Sequence, residues 1–171
     1  MNIDLTNPAS IFGFAGVLAN FCWPMMRKRT YLLAGQVIAC CFMFAHFALL
    51  GAYTGAAIMG VAGFQAVLAI PLGKNPKFKL IYLASLLLTP VVCYATWQGV
   101  QSIFSSLALA IVCIANFQLN EVHQRSLLIL AIFAWFAHNL VIGSVPGIIS
   151  NALAFAISSR MLFIAAQNKR E

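Results

Sequence analysis

Apolar residues fill seven long stretches of the chain, and short polar or glycine-containing segments separate these stretches. Most of the stretches approach the roughly 20 residues that an α-helix needs to cross a lipid bilayer. The pattern therefore predicts an all-α integral membrane protein with seven transmembrane helices. We expect these helices at about residues 10–26, 30–50, 54–72, 80–97, 102–119, 126–142 and 146–166.

The composition supports a membrane protein. Of the 171 residues, 63% are hydrophobic and 8% are charged, and the mean hydropathy is +0.94. Soluble globular domains carry about 25% charged residues, so the composition excludes that class. The first apolar stretch has no basic residue before it and no small-residue cleavage site after it. We therefore expect a retained helix and not a signal peptide.

The placement of basic residues predicts the orientation in the membrane. The ten lysines and arginines lie after the first, third and fifth predicted helices and at the end of the seventh. Because Lys and Arg in short loops stay on the cytoplasmic side, we expect the N-terminus outside and the C-terminus inside. The net charge of +7 is then a topology signal. These clusters are short and scattered along the chain, which argues against a nucleic-acid partner.

Two segments repeat each other at an offset of 92 residues, FAHFALLGAYTG at 44–55 and FAHNLVIGSVPG at 136–147. A histidine and two glycines are among the residues that match in register. A unit of three helices repeated in one orientation needs one additional crossing between the copies. We therefore predict a 3+1+3 parallel-repeat bundle, with a first repeat at 1–73, a linker helix at 74–99 and a second repeat at 100–171.

The repeat, the chain length, the outside N-terminus and the FAH-x4-G-x3-G hairpins resemble the YgjV-type bacterial inner-membrane family. That family is similar in architecture to the PQ-loop/MtN3/SWEET superfamily, and the resemblance covers nearly the whole chain. It implies a multi-pass protein of the bacterial inner membrane. It also implies a substrate path at the interface between the repeats, as in secondary transporters.

Several positions correspond to transport residues of SWEET-like proteins. Those proteins have a hinge proline in the first helix of each repeat; Pro24 fits the first repeat, but the aligned residue of the second is Asn116. They also contact a sugar through an asparagine on the third helix of each repeat. Asn151 fits that position in the second repeat, and Met59 stands there in the first. The resemblance therefore implies a solute smaller or more apolar than a sugar, although both asparagines could instead hydrogen-bond a neighbouring helix.

His46 and His138 are ionisable residues inside apolar helices, about five residues before the predicted outer ends. Such residues normally face a protein interior or a water-filled cavity. One interpretation is structural: each imidazole bonds a backbone carbonyl or a neighbouring hydroxyl. The other is functional: the two rings face each other across a central cavity, and external acidity opens this gate by protonating them. Trp135, one turn before His138, either packs in the interior or lines the cavity.

Four glycines follow the two histidines at equal distances in the repeats. We expect them where each hairpin turns and where two helices approach closely, because small residues permit such approach in membranes. These glycines are Gly51, Gly55, Gly143 and Gly147.

The sequence argues against an enzyme. Its only acidic residues are Asp4, Glu121 and Glu171, which lie outside the predicted helices, and no nucleophile and base stand out. The five cysteines lack CxxC spacing and are expected in the core, so we expect no metal and no cofactor. A further interpretation makes His46 and His138 axial ligands of a b-type haem.

We therefore expect a transporter or facilitator of a small solute. The alternative, from a different class, is a non-transporting membrane scaffold or assembly protein. Membrane lipid is the expected partner, together with a small-molecule solute, and an oligomer is compatible with the sequence.

Overall fold

The computed structural model describes residues 6–23, 26, 28–72, 75, 77–118 and 120–168. These residues form seven α-helices, which confirms the all-α class and the predicted number of helices. In chain order the helices are α1 (Pro8–Cys22), α2 (Arg29–Leu49), α3 (Tyr53–Leu72), α4 (Phe78–Ala95), α5 (Val100–Ala115), α6 (Glu121–Val141) and α7 (Val145–Asn168).

Three helix ends lie four or five residues from the positions that the apolar pattern predicts. α6 begins five residues before its predicted start, because the Asn120 side chain accepts hydrogen bonds from the backbone N–H groups of Val122 and His123. α5 ends four residues before its predicted end, and Asn116 is its C-cap residue. α1 also ends four residues early. The predicted boundaries at these three ends are therefore wrong.

Four helices, α2, α3, α6 and α7, are long and apolar enough to cross a membrane. The other three are apolar but shorter. The 15 residues of α1 span roughly 22 Å, against about 30 Å for the hydrocarbon core of a bilayer. The helices are those of a membrane protein, whereas the count of seven crossings and the orientation of the termini stay predictions.

The helices pack as two groups of three joined by α4. α2 contacts both α1 and α3, α6 contacts both α5 and α7, and α4 contacts α3 and α5. The two groups meet where α1 contacts α7 and where α3 contacts α5. α3 and α5 run parallel: Thr54 Oγ1 lies 2.8 Å from Ser102 Oγ near their starts, and Gln65 Nε2 donates to Cys113 Sγ at 3.4 Å further along.

Polar side chains lie inside the bundle and large apolar ones outside it. Leu18, Leu87 and Tyr94 are 66%, 69% and 88% exposed, which suits residues that face lipid. The buried polar residues of the described ranges are serine, threonine, glutamine, asparagine and histidine, with no Lys, Arg, Asp or Glu among them. The interior therefore offers hydrogen-bonding groups of low charge.

Candidate functional site

Both predicted hairpins turn at a glycine with a left-handed backbone. Gly51 follows α2 with a φ of 73°, and Gly143 follows α6 with a φ of 68°. A side chain would be strained at either φ, so glycine suits both turns. The turns place His46 and His138, in the last turns of α2 and α6, near the starts of other helices.

His46 is buried and hydrogen-bonded through both ring nitrogens. Nδ1 lies 2.7 Å from the carbonyl oxygen of Ala9 at the start of α1, and Nε2 lies 2.7 Å from the hydroxyl oxygen of Ser144 just before α7. Because a carbonyl only accepts, Nδ1 of the neutral ring carries the proton and Nε2 accepts from the hydroxyl. Ser144 Oγ also accepts from the N–H of Gly147 at 3.0 Å. His46 therefore ties the end of α2 to the starts of α1 and α7.

The approach of α1 to His46 depends on a glycine. A Cβ added at Gly13 would lie 2.7 Å from His46 Nδ1 and 2.7 Å from a ring carbon of Pro146. Such distances are too short for real carbon contacts, so a larger residue would separate α1 from α2 and α7.

His138 is also fully buried, but its surroundings differ. Nδ1 donates to the carbonyl oxygen of Gln101, at the start of α5, at 2.9 Å. Nε2 has no hydrogen-bond partner among the described residues. It faces the backbone of α3, where a Cβ added at Gly55 would lie 2.6 Å away. The rings of Phe47 and Trp135 contact the imidazole edge-on, with centroids 5.3 Å and 5.4 Å from it.

The two histidine sites correspond in sequence. The 92 residues that separate His46 from His138 also separate the two residues whose carbonyls they bond. At the same offset, however, Ser144 corresponds to Ala52, which has no hydroxyl. His46 Nε2 thus bonds a hydroxyl that has no counterpart at position 52, and His138 Nε2 has no partner among the described residues.

Phe47 lies between the two sites. It is fully buried, and its ring centroid lies 5.3 Å from those of both His46 and His138. Both nitrogens of His46 are bonded to other groups, so the two imidazoles do not hydrogen-bond each other. These bonds to carbonyls and a hydroxyl are the kind that the structural interpretation of the histidines expects.

Sequence comparison assigns a family to the chain. Residues 8–169 match the family model Imp-YgjV, which is described as a bacterial inner membrane protein. The chain belongs to this family. No curated protein and no solved structure matches it. The predicted family and the predicted inner-membrane location are confirmed, whereas the resemblance to the PQ-loop/MtN3/SWEET superfamily stays a prediction.

In this member of the Imp-YgjV family, the predicted path residues Asn151, Met59 and Trp135 have different surroundings. Asn151 is half-buried on α7, and its Nδ2 is buried without a partner among the described residues. Met59, on α3, packs against the hydrophobic cluster around Phe47. Trp135 stacks on the Phe47 ring, with centroids 5.9 Å apart and an interplanar angle of 8°.

The predicted hinge residues Pro24 and Asn116 give less information. Pro24 lies outside the described residues. Asn116 ends α5, and its Oδ1 accepts from Gln124 Nε2 of α6 at 3.5 Å. Asn116 therefore makes a contact between neighbouring helices, near the end of the bundle where α5 finishes.

The fourth glycine of the motif faces a second unpaired polar group. A Cβ added at Gly147 would overlap with the side-chain amide of Asn139. Asn139 is buried, and its Oδ1 has no partner in the part of the chain that the structure describes. Gly55 and Gly147 thus each lie against a buried polar side chain of α6.

Sequence reasoning missed a hydroxyl cluster where α3 and α5 begin. Thr54 donates to the Thr96 carbonyl, and its Oγ1 lies 2.8 Å from Ser102 Oγ. Gln98 Nε2 donates to the Gly51 carbonyl at 2.7 Å, which joins the α2–α3 and α4–α5 turns. Ser and Thr in the first turns of apolar helices were the available signal, but such residues are also common helix caps.

The arrangement provides neutral hydrogen bonding. Within the described ranges, no three residues among His, Cys, Asp and Glu lie together as a metal site requires. The neutral ring of His46 also has no free nitrogen to offer a haem iron, since Ala9 and Ser144 occupy both.

Proposed function

We propose that this protein is an inner-membrane facilitator of a small neutral solute, which passes between the two three-helix groups. One observation carries the proposal: five buried side-chain atoms lack partners among the described residues, and three of them, His138 Nε2, Asn139 Oδ1 and Asn151 Nδ2, form a group on α6 and α7. The other two are Gln98 Oε1, in the α4–α5 turn, and Ser106 Oγ, on α5. In a membrane, an unsatisfied polar group costs several kcal/mol unless it lines a hydrated path. The three atoms lie on the adjacent helices α6 and α7, which suits a polar passage better than a purely structural core.

A 3+1+3 repeat is part of the proposal. It is supported by the two glycine turns, by the two histidine-to-carbonyl bonds and by their common offset of 92 residues. At this offset α1 corresponds to α5 and α3 to α7, so the α1–α7 and α3–α5 contacts are exchanged with each other. A path along the axis between the groups would then meet corresponding residues of both.

The solute class follows from the low charge of the interior. No Lys, Arg, Asp or Glu is buried among the described residues, and the sequence places no carboxylate in the middle of a helix to couple transport to an ion. We therefore propose passive movement of a solute with hydrogen-bond donors and acceptors, smaller than a sugar.

His46 is proposed to close the outer face. Its two bonds hold the starts of α1 and α7 against the end of α2. A protonated imidazole has two donors and no acceptor, so it can no longer accept from the Ser144 hydroxyl. The hydroxyl would have to rotate and accept from Nε2 as well as from the Gly147 N–H, and the buried ring would carry a charge. We propose that this change loosens the outer ends of the helices in external acid and increases flux.

Solute flux in liposomes tests the proposal. Purified protein is reconstituted, and equilibration of urea, acetamide, glycerol and erythritol is followed by stopped-flow light scattering against protein-free liposomes. We expect at least one solute to equilibrate faster with protein. Asn151→Leu should return that rate towards the bilayer background, because it removes the unpaired amide from the path. Ala152→Leu adds similar bulk at the adjacent exposed position and should leave the rate unchanged.

Two results would count against the proposal. If no solute equilibrates faster than in protein-free liposomes, facilitation is contradicted and a non-transporting scaffold is favoured. If flux occurs but Asn151→Leu matches the parent, the path does not follow α7.

A further inference from the structure

A groove of about 540 Å³ lies on the surface of the helix bundle, between α3 and α4. α3 lines it with residues from Gly60 to Leu68, and α4 lines it with residues from Leu80 to Leu88. The hydroxyl of Ser85, which faces the groove, donates to the Ile81 carbonyl of its own helix at 2.9 Å. The walls are therefore apolar along their length, about 12 Å at the helical rise per residue.

One end of this groove is positively charged. α3 and α4 are antiparallel, so Leu68 and Leu80 lie at the same end, beside the first turn of α4. That turn holds Lys77, which is exposed, and Lys79, which is half-buried. The turn contains no acidic residue, and its one side-chain hydrogen bond among the described residues is neutral, from the Lys77 N–H to Asn75 Oδ1 at 2.9 Å, so the positive end of the helix dipole adds to the two lysines.

The starts of α2 and α6 differ from that of α4. The first turn of α6 contains the acidic residue Glu121 and no lysine. A smaller groove, of about 430 Å³, lies at the start of α2, but the ammonium of its Lys28 lies over the Tyr31 ring, 5.7 Å from the centroid. The start of α4 combines two lysines with the adjacent apolar groove.

We propose that this groove binds a membrane phospholipid with an anionic headgroup. One acyl chain lies between α3 and α4, and the phosphodiester lies at the start of α4 near Lys77 and Lys79. The complementarity is amphipathic: the groove is apolar along its length and positive at one end. Basic pockets between membrane helices bind anionic headgroups in the same way.

Native mass spectrometry of the purified full-length protein, titrated with phosphatidylglycerol or phosphatidylcholine, tests this site. We expect the parent to bind phosphatidylglycerol at least about five-fold more tightly than phosphatidylcholine. The double variant Lys77→Gln, Lys79→Gln should lose this preference. The control Arg160→Gln, Lys169→Gln removes the same charge from positions at the end of the chain and should keep it.

A second variant tests the apolar part of the site. Ala84→Trp fills the groove from α4 and should also weaken phosphatidylglycerol binding at least about five-fold, whereas Ala152→Trp, on the exposed face of α7, should not. Loss of binding in both the lysine variant and Ala84→Trp supports the site. Unchanged phosphatidylglycerol affinity in either variant, or equal affinity of the parent for the two lipids, overturns it.

Discussion

His46 and His138 occupy corresponding places near the ends of α2 and α6, yet their Nε2 atoms have different surroundings. His46 bonds α1 through Nδ1 and Ser144 through Nε2, so it connects three helices. His138 bonds α5 through Nδ1, while its Nε2, which has no partner in the part of the chain that the structure describes, lies among aromatic rings and against the backbone at Gly55. Both imidazoles therefore join helices, but among the described residues only His46 also uses its second ring nitrogen to do so.

The largest loss of stability is expected from a side chain that fills the space occupied by His138. Gly55→Leu places a side chain against His138 Nε2 and should lower the free energy of unfolding by about 3 kcal/mol, or the melting temperature by roughly 6–12 °C. Thermal unfolding in detergent measures this. Gly60→Leu is the matched control, because a Cβ there meets the Phe44 ring only at 3.6 Å. Equal stability of the two variants would show that α3 does not pack tightly on His138.

A smaller difference in stability is expected between variants that each replace one of the two histidines. His46→Leu removes two hydrogen bonds and His138→Leu removes one, so His46→Leu should be less stable by about 1 kcal/mol. The same thermal unfolding assay compares them. Equal losses, or a larger loss for His138→Leu, would mean that the bond to Ser144 does not stabilise the fold.

The smallest loss of stability is expected from removing the Ser144 hydroxyl. Ser144→Ala removes the bond to His46 and the cap on the Gly147 N–H and should cost about 1 kcal/mol. Ser126→Ala is the control, because Ser126 is exposed and bonds only within α6. In the background of His46→Leu the effect of Ser144→Ala should shrink, since the histidine bond is already absent. An undiminished effect would assign it to the helix cap alone.

Much of the fold could be predicted from the sequence, and the reasons are specific. Hydrophobic length gave the seven helices, and glycine after an apolar helix marked the turns at Gly51 and Gly143. The predicted start of α6 was wrong, because the helix begins at the capping side chain of Asn120 and not where the apolar periodicity begins. The number of membrane crossings is harder to predict, because α1 is shorter than the hydrocarbon core of a bilayer.

The candidate site could be predicted only in part. The repeat drew attention to His46 and His138, but their partners are backbone carbonyls, which any residue supplies and no sequence pattern marks. The difference between Ser144 and Ala52 was visible in the aligned segments. Its meaning required the packing of α1 against α7, which places the hydroxyl beside a histidine 98 residues away.

Flux against external pH is the most direct test of the proposed path and its gate. The parent in liposomes is compared with the double variant His46→Gln, His138→Gln, because glutamine keeps a donor and an acceptor but does not titrate. We predict that parent flux rises several-fold as external pH falls from about 7.5 to about 5.5, and that the double variant conducts at a rate independent of pH. The same rise in the double variant would contradict the proposed gate. No flux in the parent at any pH would contradict the proposed path.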